Sequence, residues 1–169
     1  MTDTNQQYDM PSDIKPSIPS GLNVLTILTF IGCGLGFIGC IWQFFGARRN
    51  LDKMEEMINS GNYDNMPAFV KKMMSPEALE VARKTYENRV PITLIGLIAL
   101  VLCLIGAIQM RGLKKQGYFL YVVGELLPFV GTIIFIGLSA FAGFGGIIAV
   151  IIALLFVILY TAQRKHLVN

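Results

Sequence analysis

Four long apolar stretches constrain this chain more than any other feature. Leu22 to Phe45, Pro91 to Met110 and Phe144 to Ala162 contain no Asp, Glu, Lys, Arg or His, and Tyr118 to Leu138 contains one such residue, Glu125. A helix rises about 1.5 Å per residue, so about 20 residues cross a hydrocarbon core of about 30 Å. Each stretch is long enough to do so. A water-soluble domain has no use for four such blocks. It normally carries about 25% charged residues, whereas this chain of 169 residues carries 15%. The expectation is an all-α protein, a four-transmembrane-helix bundle in which lipid takes the place of water.

The rest of the sequence divides around those blocks. Residues 1–21 form a polar tail in which Pro11, Pro16 and Pro19 forbid a continuous helix. Spans are expected at 22–46, 91–110, 118–138 and 144–162. They are joined by an extramembrane loop at 47–90, a basic turn at 111–117 and a glycine-rich turn at 139–143, and followed by a basic tail at 163–169. The tail before the first span has Lys15 as its only cation, and the apolar run after it is too long for a cleaved signal peptide, so the run is expected to stay as an anchor. Trp42 lies near the end of the first span, where an indole favours the membrane–water interface.

The 47–90 loop is the only sizeable water-soluble segment. Leu51, Met54 and Ile58 recur at helical spacing until Asn59, Gly61 and Asn62 break the pattern. Ser75-Pro76-Glu77 is a helix-start signal: a capping hydroxyl, a proline with no amide to waste, and an acid at the positive end of the helix dipole. Leu79, Ala82 and Tyr86 follow as an apolar stripe. Two or three short amphipathic helices are expected here, on the membrane surface or against one another.

Four spans put both ends on one side. Lysines and arginines set the orientation, chiefly those close to the spans. The 47–90 loop holds eight, against six for Lys15, Arg111, Lys114, Lys115, Arg164 and Lys165 together, but three of those six crowd the seven-residue turn at 111–117. Density thus favours both termini in the cytoplasm.

Helices in lipid associate through small residues that permit close approach. Gly32, Gly36 and Gly39, with the polar Gln43, share one face of the first span. Gly96, Ala99, Cys103 and Gly106 share a face of the second, and Gly145, Ala149 and Ala153 a face of the fourth. These stripes are expected to pack within the bundle, with pairing to a second copy through the first span as the alternative.

Glu125 is the one ionisable group well inside a span. Thirteen Leu, Ile, Val and Phe residues between Tyr118 and Leu138 contribute about −0.3 to −0.6 kcal/mol each near the bilayer centre. Together they outweigh a cost of about 3 kcal/mol for the acid. An embedded carboxyl can relay protons or hold a cation; it can also be neutral, reach the headgroups, or bond Gln43, Gln109 or Thr132. Glu125 and Gln43 are therefore the candidate functional polar residues.

The sequence has no GxSxG, HExxH or Walker-type loop. Its single histidine, His166, is in the tail, and Cys33, Cys40 and Cys103 form no CxxC pair. No catalytic, metal or cofactor site is expected. The formal net charge of +3 comes without a basic stripe interleaved with aromatics, so nucleic acid is not an expected partner. The expected partner is the bilayer, with other membrane proteins or a second copy beside it.

The order of features, from LNVLTILTFIGCGLGFIG through a charged middle to LIGLIALVLCLIGAIQMRGLKKQGYFLYVVGELLP and a glycine-rich last span, resembles a group of small four-span bacterial membrane proteins with no assigned activity. The resemblance covers residues 20–160 and is most specific from Leu104 to Pro128. It implies the fold and an inner-membrane location, carries over no catalytic residue, and implies Gln as readily as Glu at position 125. On these grounds the chain is expected to be a non-enzymatic accessory or scaffold subunit. The alternative is a small transporter or channel subunit using Glu125, for which a cavity at that residue would be the distinguishing sign.

Overall fold

A computed structural model describes residues 18–60 and 67–167. The described residues are helical and include no strand. In chain order the helices are α1 (Ser20–Asn59), α2 (Ala68–Met73), α3 (Pro76–Glu87), α4 (Arg89–Arg111), α5 (Lys115–Phe135) and α6 (Phe144–Gln163). Short 3-10 turns follow α5 at Leu138–Phe141 and α6 at Arg164–His166. Four of the helices, α1, α4, α5 and α6, are long and apolar enough to cross a membrane. Their outward faces are bare hydrocarbon: Leu35, Ile38, Ile134 and Ile158 are all more than half exposed. Water would not tolerate so continuous an apolar surface. The chain is a multi-pass membrane protein.

The helices alternate in direction. The start of α1, the α4–α5 turn and the segment after α6 meet in one apolar cluster built on Leu22, Met110, Leu113, Tyr160 and Leu167. The other end carries α3 and the α5–α6 turn. Cation–aromatic contacts mark both ends. Arg164 lies 5.4 Å from the ring centres of Tyr118 and Phe119 at the clustered end. Arg89 lies 4.5 Å from Tyr86 and 5.7 Å from Phe44 at the other. Such amphipathic groups favour the headgroup level. The 23 residues of α4 run between these levels, about 34 Å at the standard rise.

Three boundaries differ from the sequence expectation by three residues or more, one of them the start of α5, which opens at Lys115 inside the expected basic turn. The first span does not stop at residue 46. Its helix runs on to Asn59 as one piece of 40 residues. A change from apolar to charged side chains alters the solvent a helix prefers but does not end it. The segment has no proline and no helix cap, and Arg48 faces Asp52 one turn on at 3.9 Å. The projecting part packs on α3, with Ala47 and Leu51 buried and an ion pair of 3.0 Å between Arg83 and Glu55. The loop at 47–90 is thus a continuation of α1, the short helix α2 and the amphipathic α3. The start of α3 follows the sequence signal: the Ala78 amide donates to Ser75 Oγ at 3.3 Å and Pro76 opens the helix.

The third span ends early. Expected at 138, it stops at Phe135, and the chain reverses at Gly137 rather than first at 139–143. Gly137 has φ +102°, a region closed to most side chains. The Thr132 carbonyl accepts from both the Ile136 and Gly137 amides, closing the helix. The basic turn uses a similar left-handed residue, Leu113 (φ 58°), directly after Gly112. A leucine there is strained, and its buried side chain in the apolar cluster offsets that cost.

Candidate functional site

The α4–α5 pair is the tightest contact in the molecule, and glycine makes it so. Gly117, Gly124 and Gly131 recur every seven residues along α5, on the face turned to α4. A methyl group added to Gly117 would lie 2.5 Å from the Gly106 carbonyl oxygen. One added to Gly124 would lie 2.9 Å from the Ala99 carbonyl oxygen, and one added to Gly106 would lie 2.8 Å from the Tyr121 amide. These neighbours are backbone and cannot turn aside. Ala99, Cys103, Gly106 and Ala107 complete the buried seam from the α4 side.

The small residues singled out in the sequence divide into two sets. Gly36 faces Leu100 and Gly96 faces the Cys40 thiol, Gly106 lies in the seam, and Ala153 is buried. Gly32, Gly39 and Gly145 have nothing within 4 Å of where a Cβ would sit, and Ala149 is exposed. They are not packing points among the described residues. The glycine stripe of the first span therefore meets no helix at two of its three positions. The seam is built instead on Gly117, Gly124 and Gly131, whose seven-residue period places them on one face but does not say that the face meets a helix.

Above the apolar cluster, α1 stays against α4 at Gly36 and Cys40 but buries few side chains. It buries Leu22, Leu25, Thr26, Thr29 and Cys33, then nothing until Ala47. In that gap lies a cavity of about 440 Å³ walled by α1, α4 and α5, with α3 and the α5–α6 turn at its outer end. Gly36, Cys40 and Gln43 contribute from α1, Thr93, Ala99 and Cys103 from α4, and Glu125, Pro128 and Thr132 from α5. Val81 and Thr85 of α3 reach the outer end. No residue of α6 lines it. The size falls within the range of about 300–1,000 Å³ usual for small-molecule sites.

Glu125 sits at the inner part of this chamber. It is ten residues from either end of α5, near the middle of the membrane. Its partners are not those the sequence suggested. Neither Gln43, Gln109 nor Thr132 is bonded to it. The Cys103 thiol approaches Glu125 Oε2 at 3.9 Å, and the Tyr121 side chain, one turn earlier on α5, also meets the carboxyl. Gln43 stands on the chamber wall, exposed, and makes no side-chain hydrogen bond among the described residues. The structure thus brings the two candidate polar residues to one cavity without joining them. To the cavity it adds Cys40, Thr85, Thr93 and Cys103, the last expected only as part of a small-residue face, with Tyr121 beside Glu125 outside the lining. Tyr121 was legible as the residue one turn from the acid; the contacts across helices were not.

Beneath Glu125 the polar contacts continue into the closed end. The Tyr121 and Tyr160 rings lie 4.4 Å apart, and Tyr160 and Thr29 share a buried hydroxyl–hydroxyl bond of 2.7 Å. Packed side chains fill this region and close the chamber at that end; on the side between α1 and α5 no residue of α6 covers it. No group of three or more metal-ligating side chains occurs among the described residues.

No family model, curated protein or solved structure matches the chain.

Proposed function

We propose that this is a non-enzymatic multi-pass protein of a bacterial inner membrane, with both termini in the cytoplasm, that binds a small molecule in its chamber as a small transporter or channel subunit. The carrying observation is the cavity of about 440 Å³ that runs from the α3 end to Glu125 near the membrane midplane. Transporters place substrate sites at that depth, and an acid there is costly unless it faces a cavity or a partner. In this orientation the α3 end of the chamber faces the outside of the cell and its packed end faces the cytoplasm. The three cations crowded into residues 111–117 support the closed end as the cytoplasmic one.

Nitroxide probes placed by Thr93→Cys and Thr132→Cys, in a chain whose native cysteines are replaced, test the reading in lipid nanodiscs. Both should collide with a water-soluble nickel chelate. A probe at the outward-facing Ile98 should collide with dissolved oxygen instead. If the two chamber positions behave like Ile98, the cavity is not open to water and the transport reading falls.

The scaffold role has one observation in its favour. The α1 extension and α3, held together by Arg83 and Glu55, form a charged platform outside the membrane on which a partner could rest. Cross-linked co-purification dependent on residues 47–59, with a water-inaccessible chamber, would favour it.

A further inference from the structure

The polar groups around the chamber form an unbalanced set. Thr85 Oγ1 donates to the Val81 carbonyl and Thr132 Oγ1 to the Pro128 carbonyl, each at 2.7 Å. Their protons are occupied within their own helices, so toward the chamber these hydroxyls offer only lone pairs. The Cys103 thiol is turned to the Tyr121 carbonyl and to Glu125. The carboxyl of Glu125 adds more acceptor capacity. No Lys, Arg or His is among the lining residues, and no aromatic ring is either. The chamber thus presents more acceptors than donors, the donors being chiefly the Gln43 amide and the Thr93 hydroxyl, and holds one acid with no cationic partner among the lining residues. The remaining wall, from Ile92, Ile95, Ala99, Leu100 and Ile136, is aliphatic.

The complement of that surface is a cation with several N–H donors on a short aliphatic body. We propose that the chamber binds a protonated primary alkylamine, its ammonium group at Glu125 and its chain along the aliphatic wall toward the α3 end. The absence of an aromatic cage disfavours a quaternary ammonium group, which has no N–H to donate and is usually held by ring faces. A primary ammonium group can come from a soluble amine or from the headgroup of an aminophospholipid. This assignment rests on the chamber being an open ligand site.

Cys40 reports occupancy, because its thiol lies on the chamber wall toward Gly96. The full chain, in phosphatidylcholine nanodiscs, is treated with a membrane-impermeant maleimide, and modification of Cys40 is followed by peptide mass spectrometry. Hexylamine at ten times its dissociation constant should slow labelling about tenfold. Hexanol and hexanoate at the same concentration should not. Glu125→Gln should abolish the protection, and Glu125→Asp, which keeps the charge, should retain it. Slowed labelling in phosphatidylethanolamine nanodiscs without added amine would identify the lipid headgroup as the source of the same chemistry. Equal protection by hexanol, or protection unchanged in Glu125→Gln, would overturn the proposal. If Cys40 labels freely but hexylamine does not slow it, the ligand assignment alone fails. If Cys40 resists the maleimide with no ligand present, the open chamber fails and the assignment with it.

Discussion

The two ends of this bundle are made of similar residues and packed in different ways. At the end where α1 begins and α6 finishes, glycines let α4 and α5 touch backbone to backbone, and Leu22, Met110 and Tyr160 are almost wholly buried. At the α3 end, α1 buries nothing between Cys33 and Ala47, and α6 stays clear of the chamber. Lipid explains how both can coexist. In water an apolar helix face must find a partner. In a bilayer it is already solvated, so close contact forms only where small residues or polar bonds add something to what lipid offers. A gap between helices is then tolerated, and a site can be built into it.

Substitutions in the seam should break this contrast most severely. Gly106→Ala or Gly117→Ala forces a methyl group against backbone atoms at 2.5–2.8 Å. Overpacking typically costs about 1–3 kcal/mol, and with no movable side chain to yield, the loss should reach or exceed the top of that range. Gly32→Ala and Gly39→Ala meet nothing and should be neutral or stabilising by up to about 1 kcal/mol, the helix preference for alanine. Unfolding by SDS titration in mixed micelles measures both. Equal damage from the two pairs would mean the first span packs against something after all.

The next effect sharpens the closed end. Tyr160→Phe removes the bond to Thr29 while keeping the ring against Tyr121. It should cost about 0.6–1.7 kcal/mol, the range for such bonds in membranes, by the same titration.

Outside the membrane, Ser75→Ala removes the cap of α3 and should cost about 1 kcal/mol of local helix stability, read by hydrogen exchange at Ala78 and Leu79. The hydrogen bond from the Ser75 side chain also holds the Glu77 carboxyl below its ordinary range. A lowered folded-state value means the contribution is present above the ordinary carboxylate pKa and lost as pH falls through the lowered one. Acidification should therefore loosen the start of α3, and Ser75→Ala should weaken that response. The chamber's outer end, where α3 contributes Val81 and Thr85, should feel the change.

The smallest effect is expected at Gln109, whose Oε1 is buried with no partner among the described residues at the closed end. Gln109→Met replaces it with a group of similar length and no polar demand, and should stabilise by up to about 1 kcal/mol.

The same contrast explains what could be read from the sequence. The spans were legible because exclusion from water is a property of composition. The α3 cap was legible because Ser75, Pro76 and Glu77 act on their own helix end. Glu125 stood out because an acid in a span has few neutral explanations. Which glycines mattered was not legible. A period of three and four, or of seven, says that residues share a face, but not that the face meets a helix. Gly32 and Gly39 satisfy the first condition and fail the second. The contacts of Glu125 with Cys103 and of Thr29 with Tyr160 join residues 22 and 131 positions apart, and no local rule connects them. The long α1 was hidden for another reason: a shift from apolar to charged residues looks like a boundary, although only the surrounding medium changes there.

The most direct test uses the three native cysteines of the intact chain in sealed membrane vesicles of both orientations. Cys40 and Cys103 both line the chamber, but Cys40 is only half-buried while Cys103, like Cys33, is buried. A membrane-impermeant maleimide should modify Cys40 when it is added on the side bearing residues 47–90 and not from the other side. Cys33 and Cys103 should stay unmodified until SDS unfolds the bundle. Labelling of Cys40 from the side of the termini, or of Cys103 as fast as Cys40, would contradict a bundle that is closed at one end and open at the other.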